Sequence, residues 1–127
     1  MAQCSSRRRH RALIVEDELM IALDLEDAMS ALGFDICGLA STADTARSIA
    51  MDHRPDVVLM DVNLDGGREG IEAGRWLREV CDVPVVFVTA YSDDGTIERI
   101  HEQVPGAPIL AKPVYPQILA DAVAAVI

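Results

Sequence analysis

Lysine is almost missing from this 127-residue chain: ten of the eleven basic side chains are arginines, and Lys112 is the only ammonium. Positive charge as a whole is scarce, because 11 Lys and Arg face 21 Asp and Glu for a net charge of −10. Arg7, Arg8, Arg9 and Arg11 crowd the start, so everything beyond residue 11 carries −14. A body that acidic repels nucleic acid and anionic membranes; only the short basic arm attracts them. Cysteines are few as well. Cys4, Cys37 and Cys81 are odd in number and widely spaced, which argues against a disulfide framework or a zinc site and points to a reducing cytoplasm. No long apolar run exists at the start, since residues 12–15 are cut off by Glu16, too soon for a secretory signal or a membrane span. Aromatics are limited to Phe34, Trp76, Phe87, Tyr91 and Tyr115, so the core must be built from aliphatic side chains.

What is present suits one globular domain: 50% of residues are apolar and 25% charged. Residues 1–10 read as a disordered basic arm and residues 11–127 as the domain. Five short apolar runs, at 12–15, 34–40, 57–60, 84–88 and 107–111, begin 22 to 27 residues apart. Stretches with helical spacing lie between them. Ile21, Leu25, Ala28, Met29 and Leu32 fall at offsets 0, 4, 7, 8 and 11, with Gly33 placed to end that helix. Ala43, Ala46 and Ala50 mark a second helix, which Pro55 separates from the third run. Ile71, Gly74, Leu77 and Arg78 mark a third, Ile97, Ile100 and Val104 a fourth, and Ile118, Leu119, Ala122, Val123 and Val126 a fifth. Five strand-then-helix units, with strands that are apolar without alternation, predict a doubly wound α/β domain whose parallel sheet is covered on both faces. The units share no sequence with one another, which argues against a solenoid.

In such a sheet, ligands bind beyond the carboxyl ends of the strands. The residues there are Glu16 and Asp17 after the first run, Asp61 after the third, Thr89 after the fourth and Lys112 after the fifth. Three carboxylates, a hydroxyl and an ammonium are therefore expected at one sheet edge. Two unit charges about 4 Å apart repel by roughly 4 kcal/mol at an effective dielectric near 20, so gathered acids call for a cation. Oxygen donors without His or Cys select a hard ion, and few protein ligands favour Mg²⁺ over Ca²⁺. Each residue alone has a plainer reading. Glu16 and Asp17 suit a helix N-terminus, Asn63 suits a turn, Thr89 suits a strand, and Met20, Met29, Met51 and Met60 suit a core. Asp61 directly follows the run 57–60, where an unpaired charge is costly, and the joint occurrence at four strand ends favours a site.

Glu16-Asp17, Asp61 within Leu59-Met60-Asp61-Val62-Asn63, Thr89-Ala90 and Ala111-Lys112-Pro113 together resemble the receiver domain of two-component response regulators over residues 11–127. The resemblance implies a five-stranded (βα)5 flavodoxin-like fold with strand order 2-1-3-4-5. It also implies that a sensor histidine kinase or histidine phosphotransfer protein phosphorylates Asp61, with Mg²⁺ as cofactor. Asp17 and Asp61 would ligate the metal directly, Glu16 through water and Asn63 through its carbonyl, while Lys112 and Thr89 would hold the phosphoryl oxygens. Signalling to an unknown protein target would use the face of helix four, strand five and helix five, by a shift of population. The expected protein is a cytoplasmic monomer or weak homodimer that catalyses only its own aspartyl phosphorylation and dephosphorylation.

Two positions depart from the family pattern. Ile109 stands where a switching Tyr or Phe is usual, and the segment from Gly66 to Gly70 lengthens the loop after Asp61; Tyr91 is a candidate for part of the switch. Ile109 also encourages a second reading, a degenerate receiver that acts as a binding scaffold. Other enzymes of this architecture fit poorly. A flavodoxin needs a phosphate loop after strand one, where Glu16-Asp17-Glu18 would repel the flavin phosphate, and an aspartate-nucleophile phosphatase usually has a second acid where Asn63 stands. The sequence suits either a stand-alone regulator or an excised receiver.

Overall fold

A computed structural model describes residues 9–64, 69–90 and 94–127. The strands are β1 (Arg11–Val15), β2 (Asp35–Ala40), β3 (Val57–Asp61), β4 (Val85–Thr89) and β5 (Ile109–Ala111). They alternate with helices α1 (Leu19–Ala31), α2 (Ala43–His53), α3 (Glu69–Val80), α4 (Asp94–Gln103) and α5 (Pro116–Val126). All neighbouring strands pair parallel, in the order β2-β1-β3-β4-β5, as the flavodoxin-like expectation requires. No helix among the described residues is long and apolar enough to cross a membrane.

The strands are apolar throughout because both sheet faces are covered. Alternate residues point to opposite faces. Leu13, Val15, Val58, Met60, Val85 and Phe87 pack with Ala46 and Ala50 of α2, with Ile71 and Leu77 of α3 and with Ile100 of α4. Ala12, Ile14, Val57, Leu59, Val86 and Leu110 pack instead with Ala22, Leu25 and Met29 of α1 and with Leu119 and Val123 of α5. Fully burying each Val, Leu, Ile, Met or Phe among them contributes about 1.5–3 kcal/mol.

Helix ends follow local chemistry. Gly33 takes φ +95, its N–H donates to Ser30, and the Phe34 N–H donates to Met29, a Schellman turn that turns the chain from α1 into β2. The Thr42 hydroxyl caps α2 by accepting from the Thr45 N–H, and Arg54, in the left-handed region before Pro55, ends that helix. Several sequence expectations need correction. Leu32, assigned to the inner face of α1, is 40% exposed, because the turn at Gly33 carries it away from the sheet. Met20 and Met51 lie on the surface, and Arg78 of α3 is exposed. Ala107 and Pro108 precede β5 rather than belonging to it, since the Ala107 N–H turns back to the Val104 carbonyl.

Candidate functional site

Register brings the site together. Val15 pairs with Met60, Asp61 with Val88 and Thr89 with Ala111, so Glu16, Asp61, Thr89 and Lys112 lie within about one residue of a common level at the carboxyl edge of the sheet. Backbone bonds extend the ladder past the strand ends: the Glu16 N–H donates to Ala40 (2.9 Å), the Val62 N–H to Val88 (3.1 Å) and the Lys112 N–H to Thr89 (2.9 Å). These bonds fix the backbone from which the functional side chains project.

Lys112, Glu16 and Asp61 come together at this edge. Lys112 Nζ lies 2.8 Å from Glu16 Oε1, an ion pair bent away from hydrogen-bond geometry, and donates to Asp61 Oδ1 at 3.4 Å. The carboxylate plane of Asp61 is further held by the Asn63 N–H, which donates to the same Oδ1 at 3.3 Å. Glu16 Oε2 accepts from the Glu18 N–H at 3.1 Å. Glu16, Asp61 and Thr89 are buried, whereas Asp17 faces solvent. Oxygens of Glu16, Asp17 and Asp61 all lie within 4.8 Å of one another. Burial pushes the Glu16 carboxyl up from its ordinary range, outweighing the Lys112 contact and the Glu18 N–H that pull it down. Burial alone would lower the Lys112 ammonium, but the Glu16 and Asp61 carboxylates more than offset it and hold the group above its usual value.

Three converging carboxylate oxygens, one of the acids open to water, form a donor set that fits a hard divalent cation keeping part of its hydration shell. Neither His nor Cys belongs to this group, so nothing in it selects a softer metal. The lone ammonium stands opposite as a point charge suited to a phosphoryl oxygen.

The remaining candidates divide. Asn63 sits half-buried two residues past Asp61, and Thr89 is fully buried at the end of β4, with exposed Ala90 after it. Ile109 pairs in register with Phe87 and is half-buried against the α2–α3–α4 side of the core. Tyr91 and residues 65–68 lie outside the described residues. Glu69 and Gly70, read from the sequence as loop, are instead the first residues of α3. Gly70 thus stands in the first turn of the helix that follows the acid-bearing strand.

The sequence profile described as "Response regulator receiver domain" matches residues 12–124. The chain is similar to the phyllosphere-induced regulator PhyR of Methylorubrum extorquens, with 38% identity over 105 residues, 82% of this chain and 38% of that protein. It is also similar to the transcriptional regulatory protein PdtaR of Mycobacterium tuberculosis, 36% identical over 92 residues, 72% of this chain and 44% of the relative. The chain thus spans less than half the length of either regulator. The crystal structure of the signal receiver domain of a modulated diguanylate cyclase from Desulfovibrio desulfuricans superposes with a TM-score of 0.84 at 32% identity, covering 94% of both chains.

Proposed function

The chain belongs to the response regulator receiver domain family of two-component signalling, and from that premise we propose that Asp61 accepts a phosphoryl group from a histidine kinase or histidine phosphotransfer protein. The observation that carries this reading is the enclosure of Asp61 by the Lys112 ammonium, the Asn63 N–H and the two other carboxylates. Phosphoryl transfer asks a protein chiefly for position and charge stabilisation, and both are built here. An Asp61 carboxylate oxygen attacks phosphorus, the new O–P bond forms as the N–P bond of the donor phosphohistidine breaks, and the imidazole leaves with the electron pair. The Asn63 N–H keeps the carboxylate plane fixed during the attack, and Lys112 neutralises a phosphoryl oxygen as charge spreads over the group. Thr89 ends β4 one register step from Lys112 and would supply a hydroxyl to the phosphoryl group.

Mg²⁺ would be held by Asp17 and Asp61 directly, by Glu16 through water and by the Asn63 carbonyl, and it would supply charge neutralisation to the phosphoryl oxygens. The donor protein has a surface to meet beside the acceptor. Leu19, Met20 and Leu23 of α1 and Tyr115 and Ile118 at the start of α5 are exposed, on helices that follow the Glu16–Asp17 and Lys112 strand ends and pack in one core cluster. The domain as a whole would act as a cytoplasmic signalling switch through α4, β5 and α5.

Acetyl phosphate with Mg²⁺ tests the reading. Wild type is expected to gain about 80 Da, the mass of one phosphoryl group, and Asp61→Asn is expected to gain nothing. A wild-type chain that stays unmodified would be the scaffold, not the acceptor.

A further inference from the structure

Helix α3 begins against the peptide planes that carry the acceptor. A Cβ on Gly70 would stand 1.9 Å from the Asp61 carbonyl oxygen, 2.8 Å from the Asp61 carbonyl carbon and 2.7 Å from the Val62 carbonyl oxygen. All three are backbone atoms, and no rotamer change relieves such overlaps. The Gly70 N–H meanwhile donates to the Val62 carbonyl at 3.0 Å, joining the first turn of α3 to the end of β3. Resting on the reading of Asp61 as acceptor, we propose that Gly70 is a positioning residue for the site: its missing side chain lets α3 seat directly on the Asp61 and Val62 carbonyls, which sets the path of the chain through Asn63.

The two sides of this contact differ in how easily they move. Strand β3 is central and all five of its residues are buried, Asp61 pairs with Val88, and the Val62 N–H is bonded to the Val88 carbonyl. The α3 side carries no such ladder. A methyl group at position 70 therefore pushes the first turn of α3 off the Asp61 and Val62 carbonyls, while β3 stays in place. The Asn63 N–H, which orients the Asp61 carboxylate, shares its peptide plane with the Val62 carbonyl on which α3 rests. The predicted loss is thus one of carboxylate orientation and cation affinity, rather than of core packing.

Gly74, one turn further along α3, supplies the control. A Cβ there would meet the Phe87 ring at 2.5 Å and the Val85 side chain at 3.4 Å, core side chains rather than the backbone that carries Asp61. Gly74→Ala should lower thermal stability through overpacking and leave the site geometry unchanged.

The experiment compares Mg²⁺ affinity by calorimetry, acetyl phosphate labelling and thermal melting in wild type, Gly70→Ala and Gly74→Ala. Gly70→Ala is expected to weaken Mg²⁺ binding and slow labelling at least tenfold, and Gly74→Ala to change each by less than twofold while still lowering the melting temperature. Equal losses in both variants, or a Gly70→Ala protein that binds and labels within twofold of wild type, would overturn the inference. Amide exchange in wild type, with Mg²⁺ titrated by NMR, decides the matter should Gly70→Ala fail to fold. The Gly70 amide should exchange slowly and shift on Mg²⁺ addition while the Gly74 amide stays still; a Gly70 amide that exchanges freely or ignores Mg²⁺ sinks the proposal. Wild type that takes up no phosphoryl group would overturn the assignment of the site itself together with this inference, whereas labelling retained in Gly70→Ala overturns the inference alone.

Discussion

The Lys112 ammonium sits closer to Glu16 (2.8 Å) than to Asp61 (3.4 Å), so its shorter contact is with the acid that we do not assign as acceptor. One positive charge thus serves two buried carboxylates, with Asp17 contributing a third nearby. Removing one member of a buried ionic group leaves its partners uncompensated and costs on the order of 3 kcal/mol. Lys112→Met is expected to lower stability by about that much in EDTA, as read by urea denaturation. Mg²⁺ should return part of the loss, because the cation replaces the missing charge. A variant as stable as wild type in EDTA would show that the acids are satisfied without the amine.

Burial raises the Glu16 carboxyl from its reference value of 4.5, so the folded chain holds this proton more tightly than the unfolded chain does. The stability gained in that way is complete below pH 4.5 and is lost as pH rises through the higher folded value. Glu16→Gln removes this titration. In EDTA, the stability of Glu16→Gln relative to wild type should therefore climb as pH rises across that window. The expected observable is the change in the difference with pH, since loss of the Lys112 contact shifts its overall level. Parallel pH curves for the two proteins would contradict the raised carboxyl. Lys112, raised above 10.5 by its acidic neighbours, contributes stability with the same sign at alkaline pH: complete below 10.5 and lost above the folded value.

The strands were legible in the sequence because each is covered on both faces and so reads as an unbroken apolar run. The level at which they end was legible too, since an acid or a lysine cannot continue such a run without a partner, and this alone placed Glu16, Asp61 and Lys112 together. Distances were not legible. Nothing in the residue order assigns the shorter contact of Lys112 to Glu16, because that depends on the bonds of Glu16 to Ala40 and of Lys112 to Thr89 across the sheet. Met20 and Met51 show the limit of residue type: methionine fills cores, yet exposure here follows from which side of each helix faces the sheet. Gly70 reads as loop beside Gly66 and Gly67, whereas its close approach to the Asp61 backbone, nine positions back in the chain, is set by how α3 seats.

The Schellman turn at Gly33 offers a test of the fold away from the site. Gly33 has φ +95 and open space around the position of a Cβ, so any cost of a side chain there is conformational rather than steric. Gly33→Ala is expected to destabilise the protein by about 1 kcal/mol, measured by urea denaturation, with Mg²⁺ affinity unchanged. An unchanged midpoint would mean that the left-handed turn between α1 and β2 is not formed in solution.

Cation binding makes the last prediction. A ligand that binds only the folded state stabilises it by about 2.7 kcal/mol at a hundred times its dissociation constant. Mg²⁺ in that excess should raise the melting temperature of wild type, and EDTA should reverse the rise. Asp17→Asn and Asp61→Asn each remove one of the three converging carboxylates and should abolish the effect. Both metal-free forms should stay close to wild type in stability, for different reasons. Asp17 faces solvent, so its neutralisation changes stability by less than about 0.5 kcal/mol, as surface substitutions usually do. Asp61 is buried against Lys112, so its neutralisation removes both an attraction to the ammonium and a repulsion from Glu16, leaving a small net change. Zn²⁺ should show no preference over Mg²⁺ of the kind that nitrogen or sulfur ligands create. A Mg²⁺ effect that persists in Asp17→Asn and in Asp61→Asn would place the cation elsewhere on the acidic surface.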